Sequence, residues 1–220
     1  MIELARPRRG HFDLGTGFHG DIWLDLDAMF LRPSLLRPHV NLLAERLGQH
    51  RIDAVCGPLE GGAFLAYALA ETLGVAFLPA YRDERGTAPA YRLPDVAGNP
   101  VGNPGGIRDW RVAIADDAIN AGTAVRACAG QLRTRGAVPV AVAALLSLGP
   151  ASAAVAEGIS VPLYTAGAVE SRAWPAAQCP LCAGDIPFTE SSSPRLCHEM
   201  MQHGPRTREN GTHARAGVAQ

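Results

Sequence analysis

The run Val112-Ala113-Ile114-Ala115-Asp116-Asp117-Ala118-Ile119-Asn120-Ala121-Gly122-Thr123-Ala124 leaves this chain few folds to choose from. Its first four residues are small or branched and apolar, as in a parallel strand covered on both faces. Two carboxylates follow where that strand is expected to end. Small residues and a glycine come next, letting successive backbone N–H groups curl into a concave anion-binding nest. The spacing of Val125, Cys128 and Leu132 then predicts a helix over 123–134, with Thr123 as its cap. An anion in the nest would meet free N–H groups and the positive end of the helix dipole. The two acids would repel that anion, and their natural partner is a neutral cis-diol donating both hydroxyls. A sugar phosphate of the ribose 5-phosphate type offers both groups. The plain alternative is an ordinary turn carrying two solvated acids.

A second segment repeats the pattern of strand, glycine turn and helix. Ile52-Asp53-Ala54-Val55-Cys56 reads as a buried strand, Gly57-Pro58-Leu59-Glu60-Gly61-Gly62 as the turn, and an alanine-rich stretch to Leu73 as the helix. Together the two segments resemble the type I phosphoribosyltransferases. That family's signature is an apolar strand, two acids, four small or apolar residues, then Gly-Thr or Gly-Ser. The resemblance implies that Asp116 and Asp117 hold the ribose hydroxyls of phosphoribosyl pyrophosphate and that Asn120, Ala121, Gly122, Thr123 and Ala124 wrap its 5-phosphate. Glu60, Gly61 and Gly62 would then belong to the loop that faces the pyrophosphate. Asn120 departs from the family, which prefers a hydroxyl residue there.

The opening stretch from Gly10 to Asp25 contains Gly-His-Phe at 10–12 and Gly-Thr-Gly at 15–17, and it is similar to the start of orotate phosphoribosyltransferases. The resemblance implies an acceptor site formed by Phe12, Gly15, Thr16, Gly17 and Phe18, with Phe12, Phe18 or Trp23 stacking on a flat base. Taken singly, each aromatic reads as hairpin core, and His11 and His19 as turn or core histidines. Two features depart from the orotate enzymes. Their mobile loop carries lysines and a histidine, whereas this chain has Arg82, Arg85 and Arg92, of which Arg82 and Arg85 are the catalytic candidates. Their acceptor-side arginine is missing from Leu146-Ser147-Leu148-Gly149-Pro150, so an acceptor carboxylate would need Arg108, Arg172 or a group from the N-terminal segment.

Along the rest of the chain, Leu36, Val40, Leu43 and Leu47 predict an amphipathic helix over 34–48. Strands are expected at 75–79, 139–148 and 161–165, with a short helix at 151–157. The segment 82–109 has no clear period and is long for a passive connection. The expected architecture is α/β: a mainly parallel sheet with helices on both faces, a small N-terminal hood, and a C-terminal extension containing cysteines. The domain reading is 1–168 for the transferase domain with its hood, 169–203 for the extension, and 204–220 for a polar, disordered tail. Ligands of such sheets gather beyond the carboxyl ends of the strands.

At 220 residues and 47% hydrophobic content the chain suits one domain with additions. A net charge of −1 gives no electrostatic case for nucleic acid. All 20 basic residues are arginine, a usage that reads as coding bias. No apolar run is long enough to span a membrane, and residues 1–9 lack a signal-peptide core, so a cytoplasmic protein with reduced thiols is expected. The resemblance further implies Mg²⁺, a role in pyrimidine nucleotide synthesis, a homodimer, and a loop at 83–108 that closes over the site. A regulator that binds phosphoribosyl pyrophosphate without turnover is the competing class, suggested by the absent lysines and histidine.

Cys179-Pro180-Leu181-Cys182-Ala183-Gly184 has the form of a zinc knuckle, and Cys197 with His198, or His203, follows at an interval that allows a Cys₃His site. The alternative is a half-knuckle held by backbone hydrogen bonds. Cys56 and Cys128 fall in strand and helix contexts and are expected in the core.

Overall fold

Runs of apolar residues flanked by glycine turns become the central strands. The computed structural model describes residues 1–15, 17–59, 61–83, 90–95 and 106–190. In chain order these form β1 (Arg8–Asp13), β2 (Phe18–Trp23), α1 (Pro33–Gly48), β3 (Ala54–Pro58), α2 (Gly62–Leu73), β4 (Ala76–Asp83) and β5 (Ala90–Arg92). There follow β6 (Arg111–Ile119), α3 (Thr123–Thr134), β7 (Val138–Leu148), α4 (Ala151–Ile159), β8 (Leu163–Val169), β9 (Ala173–Pro175) and α5 (Pro180–Ala183). Met1–Glu190 make up one compact unit. The expected tail, 204–220, lies outside the described residues.

The main sheet has the order β5-β4-β3-β6-β7-β8. Its pairings are parallel except at the edge, where β5 lies antiparallel to β4. Side-chain alternation divides the core into two layers. Ala113, Ala115, Ala143 and Leu145 point to the face covered by Leu36, Val40, Leu43 and Leu47 of α1 and Leu65 and Leu69 of α2. Val112, Ile114, Val142 and Ala144 point to the opposite face, under Val125, Cys128 and Leu132 of α3 and Val155 and Ile159 of α4. Alanines on the α2 side let that helix sit close. A Cβ at Gly57 would come within 2.6 Å of the Ala66 Cβ and the Gly62 carbonyl, so glycine is required for this approach.

The parallel sheet with helices on both faces agrees with the sequence reading, as does the burial of Cys56 and Cys128. Three details differ. The segment 82–109 is not wholly irregular, because β5 folds back on β4 and buries Tyr91 while Leu93 joins the core. The strand expected to stop before the acids continues to Ile119, held by the pairing of Asp116 with Ala144 and of Ile119 with Ser147. The strand expected at 161–165 begins at Leu163 and runs to Val169.

A separate three-stranded sheet, β1-β2-β9, forms the hood. It joins the main sheet at the carboxyl edge, since β9 begins four residues after β8 ends. Among the described residues no helix is long and apolar enough to cross a membrane.

Candidate active site

Two of the central parallel strands, β3 and β6, are direct neighbours, and each leaves the sheet through a glycine turn into a helix. This adjacency brings the paired acids against the first glycine turn. A Cβ at Gly62 would lie 2.7 Å from both the Ala115 carbonyl and Asp116 Oδ1, and one at Gly61 would collide with the Asp117 carboxylate. Gly61 also has φ +98°, a conformation that costs side-chain-bearing residues free energy. Backbone of the β3 turn and the two acids thus share one small space. Glu60 lies outside the described residues.

The acids are withdrawn from water, with Asp116 only 9% exposed. Asp117 donates its N–H to Asp116 Oδ1 at 3.1 Å, and Asp117 Oδ1 accepts the Ala118 N–H at 2.6 Å. Burial pushes the Asp116 carboxyl well above the usual carboxylate range, and the neighbouring Asp117 charge adds to the rise. Burial likewise pushes Asp117 up to about 6, against the pull of the Ala118 amide. Such groups ionise reluctantly until a hydroxyl or cation meets them.

The second glycine turn differs from the sequence expectation at its cap. Gly122, not Thr123, is the N-cap of α3; it has φ +67°, and no side chain caps the helix. Among the described residues no side-chain cap occupies the first-turn N–H groups of α3, as an anion site requires. A Cβ at Gly122 would collide with Val155, so glycine is needed there for space as well as for conformation. Asn120 and Ala121 are exposed, and Ala124 is half-buried.

Arg126 was not singled out by the sequence reading. It sits in the first turn of α3, and its Nη2 donates to the Ala121 carbonyl, holding a cation over the turn. A cation at a helix N-terminus opposes the dipole, so its position there makes sense when an anion is shared. That contrast was the available signal.

Arg82 lies in β4 opposite Tyr91, and Arg92 forms an ion pair with Asp83 at 3.7 Å. Arg85 is outside the described residues. In the hood, Phe12 is 1% exposed and packs toward Trp23 at 6.0 Å, whereas Phe18 is 45% exposed. Gly15 and Gly17 both have positive φ and shape the β1–β2 turn; Gly15 donates its N–H to Asp13 Oδ1 at 2.8 Å. Thr16 lies outside the described residues. Arg108 precedes β6, beside Gly136 at the amino end of β7, the wrong edge for an acceptor. Arg172 is at the carboxyl edge, where its N–H donates to Asp21 Oδ1 at 2.9 Å, and the adjacent Ser171 carbonyl stands 2.7 Å from where a Gly149 Cβ would be.

Cys179 and Cys182 meet two histidines of the hood: donor atoms of His11, His19, Cys179 and Cys182 all lie within 4.8 Å of one another. The sequence reading had assigned both histidines to the turn or the core. Cys197 and His198 fall outside the described residues.

No family model matches the chain. Orotate phosphoribosyltransferase from Thermus thermophilus is 29% identical over 194 residues, spanning 86% of this chain and 98% of its own length. The same-named enzyme of Caldanaerobacter subterraneus is 26% identical over 194 residues, 88% of this chain and 94% of its own. The chain is a phosphoribosyltransferase with the type I fold. Solved structures agree on the fold. The orotate phosphoribosyltransferase of Aeropyrum pernix superposes with TM-score 0.62 at 22% identity, covering 76% of this chain and 90% of its own. The adenine phosphoribosyltransferase of Thermoanaerobacter pseudethanolicus superposes with TM-score 0.58 at 17% identity, covering 76% and 98%. This transferase therefore has sequence relatives named for one base and structural neighbours named for two.

Proposed function

We propose that this phosphoribosyltransferase moves the 5-phosphoribosyl group of phosphoribosyl pyrophosphate onto a ring nitrogen of a heterocyclic base, releasing pyrophosphate. Orotate is the first candidate acceptor, which would give the enzyme a step in pyrimidine nucleotide synthesis. The observation that carries the reading is the meeting of Asp116 and Asp117 with the Gly61–Gly62 turn, next to the uncapped start of α3.

The chain's own tasks follow from these groups. The ribose 2- and 3-hydroxyls donate to the Asp116 and Asp117 carboxylates, and the 5-phosphate accepts from N–H groups of 120–124 beside Arg126. The turn at Gly61 and Gly62 lets backbone approach the pyrophosphate. As the anomeric bond breaks, positive charge grows on the ribose, and the two carboxylates are already placed to stabilise it. Two desolvated carboxylates are also a fitting set for a hard divalent cation, and Mg²⁺ when bound would neutralise the diphosphate leaving group. Arg82 and Arg85, with the loop 83–108, are assigned to the leaving-group side, where closure would exclude water. A second copy of the chain is the proposed partner, as in the family; the exposed Phe64 and Tyr67 of α2, beside a groove of about 590 Å³ against α1, support self-association.

A second acceptor class is favoured by one observation: β7 ends in Leu146-Ser147-Leu148 with no arginine for a carboxylate. Arg172 at the carboxyl edge supports orotate, because it is the first basic residue after that strand end in the sequence. Incubation with Mg²⁺, phosphoribosyl pyrophosphate and orotate, read by pyrophosphate release and by mass of the nucleotide product, tests the proposal. Turnover with orotate supports it. Turnover only with an uncharged base moves the acceptor, and tight sugar binding without turnover on any base supports the regulator.

A further inference from the structure

The geometry points to a zinc site that the transferase chemistry does not use: one Zn²⁺ held by His11 Nε2, His19 Nδ1, Cys179 Sγ and Cys182 Sγ. The strand register is the first argument. His19 of β2 pairs with Asp13 of β1, and the register shift between Arg9 and Phe12 leaves His11 buried beside His19 rather than in regular alternation. The two rings lie with centroids 5.1 Å apart. From the other side, the Cys-Pro-Leu-Cys turn places Cys179 just before α5 and Cys182 within it, with the Ala183 N–H donating to the Cys179 carbonyl at 3.1 Å.

The distances fit a tetrahedron around one ion. Zinc bonds of about 2.0–2.1 Å to nitrogen and about 2.3 Å to sulfur require nitrogens about 3.3 Å apart and nitrogen–sulfur separations of about 3.6 Å. Here the two nitrogens are 3.3 Å apart, and His11 Nε2 lies 3.5 Å from Cys179 Sγ and 3.6 Å from Cys182 Sγ. His19 Nδ1 lies 3.2 Å from Cys182 Sγ. Hydrogen bonding alone serves this arrangement poorly, because His11 Nε2 faces three heteroatoms and has one position with which to answer them.

The surroundings are those of a ligand sphere. His11 Nδ1 lies 2.7 Å from the Ile186 carbonyl, to which it donates; this fixes the tautomer that leaves Nε2 as a lone-pair donor. Phe188 packs on both imidazoles, at 4.2 and 4.9 Å between centroids, and closes the site with an apolar wall. Cys182 is exposed and gives the ion an entry route. Binding converts both thiols to thiolates and releases two protons to solvent, and the site stays neutral. The ion would pin the hood hairpin to a segment 168 residues away. It would also clamp both arms of the β1–β2 turn, Gly15 to Phe18, through His11 and His19.

The test uses the full chain, tag removed, purified without chelator from zinc-supplemented cells. Elemental analysis should find about one zinc per chain, and replacement by Co²⁺ should give the visible bands and thiolate charge transfer of tetrahedral S₂N₂ cobalt. His11→Asn, His19→Asn and Cys182→Ser should each weaken metal affinity at least about 100-fold, while Cys197→Ser and His198→Asn should retain the full equivalent. Stripping the metal from the wild-type chain should lower Tm by about 5 °C or more, and zinc should restore it. Because the cobalt spectrum is read on the wild-type chain, misfolding of a variant cannot hide the answer. Less than one tenth of an equivalent with no cobalt spectrum would overturn the site. Metal lost in Cys197→Ser or His198→Asn but kept in His11→Asn would overturn this donor set. Neither result touches the transferase reading, which is tested by pyrophosphate release.

Discussion

The paired-acid site and the histidine–cysteine cluster solve opposite problems with polar groups. At the end of β6, two carboxylates are packed out of water against a glycine turn, and the Asp117 and Ala118 amides offset their desolvation only in part. In the hood, four donors are gathered around one point, with a carbonyl and a phenyl ring holding them in place. In the proposed reading the first arrangement keeps two carboxylates ready for a substrate at the expense of stability. The second joins distant segments and should add stability. Removing one of the acids should therefore harm function and leave folding alone, and removing a ligand of the cluster should do the reverse.

The sharpest break between them is Asp117→Asn. Removing a carboxylate that faces developing positive charge should lower kcat/KM for phosphoribosyl pyrophosphate about 10²–10³-fold, or about 3–4 kcal/mol. The free chain should melt no lower than wild type. A parallel loss of activity and of Tm would contradict the comparison.

Gly122→Ala attacks the geometry rather than the charge. A side chain there meets Val155 and must hold φ +67°, so the variant should lose about 2–4 kcal/mol in a denaturant titration. Phosphoribosyl pyrophosphate binding should weaken with it. Cys182→Ser is the counterpart in the hood: Tm should fall by about 5 °C in zinc-containing buffer, while kcat/KM for phosphoribosyl pyrophosphate stays within about threefold. A pronounced loss of sugar binding would merge the two regions.

The pH dependence has a definite sign. Asp117 is raised from 3.8 to about 6, so the folded chain holds this proton more tightly than the unfolded one. Its carboxyl therefore favours folding at low pH, and that contribution is lost as pH rises from about 4 through about 6. Sugar binding should do the opposite and strengthen over the same interval, since the diol wants the carboxylate. Denaturation and calorimetric binding measured between pH 4.5 and 7.5 should show both trends, and Asp117→Asn should flatten both. The smallest expected effect is Phe18→Ala, which should raise the acceptor KM about threefold to tenfold with Tm unchanged.

The two regions also differ in how far they could be read in the sequence. Asp116 to Ala124 are contiguous, so strand, acids, glycine and helix start appear in order, and the sheet with its two helical faces follows from the same pattern repeated at 52–73. Local chemistry still misplaced the cap, because Gly122 is left-handed and its lack of a Cβ makes room for Val155 of α4, a neighbour that spacing does not reveal. Arg126 went unnoticed because its role depends on a carbonyl in the preceding turn. The cluster was half legible. Cys179 and Cys182 announce themselves by spacing, but their partners stand 160 to 171 residues away and come within reach only through the fold of the hairpin. Spacing alone pointed to Cys197 and His198, which lie outside the described residues.

In the proposed complex one pentose phosphate is held by its diol at Asp116 and Asp117 and by its phosphate at 120–124. A crystal structure of the chain with Mg²⁺ and phosphoribosyl pyrophosphate tests it most directly. The account predicts both ribose hydroxyls within about 2.6–3.2 Å of the two carboxylates and the 5-phosphate on the first N–H groups of α3. A sugar bound elsewhere, or bound with its hydroxyls turned away from both acids, would contradict it.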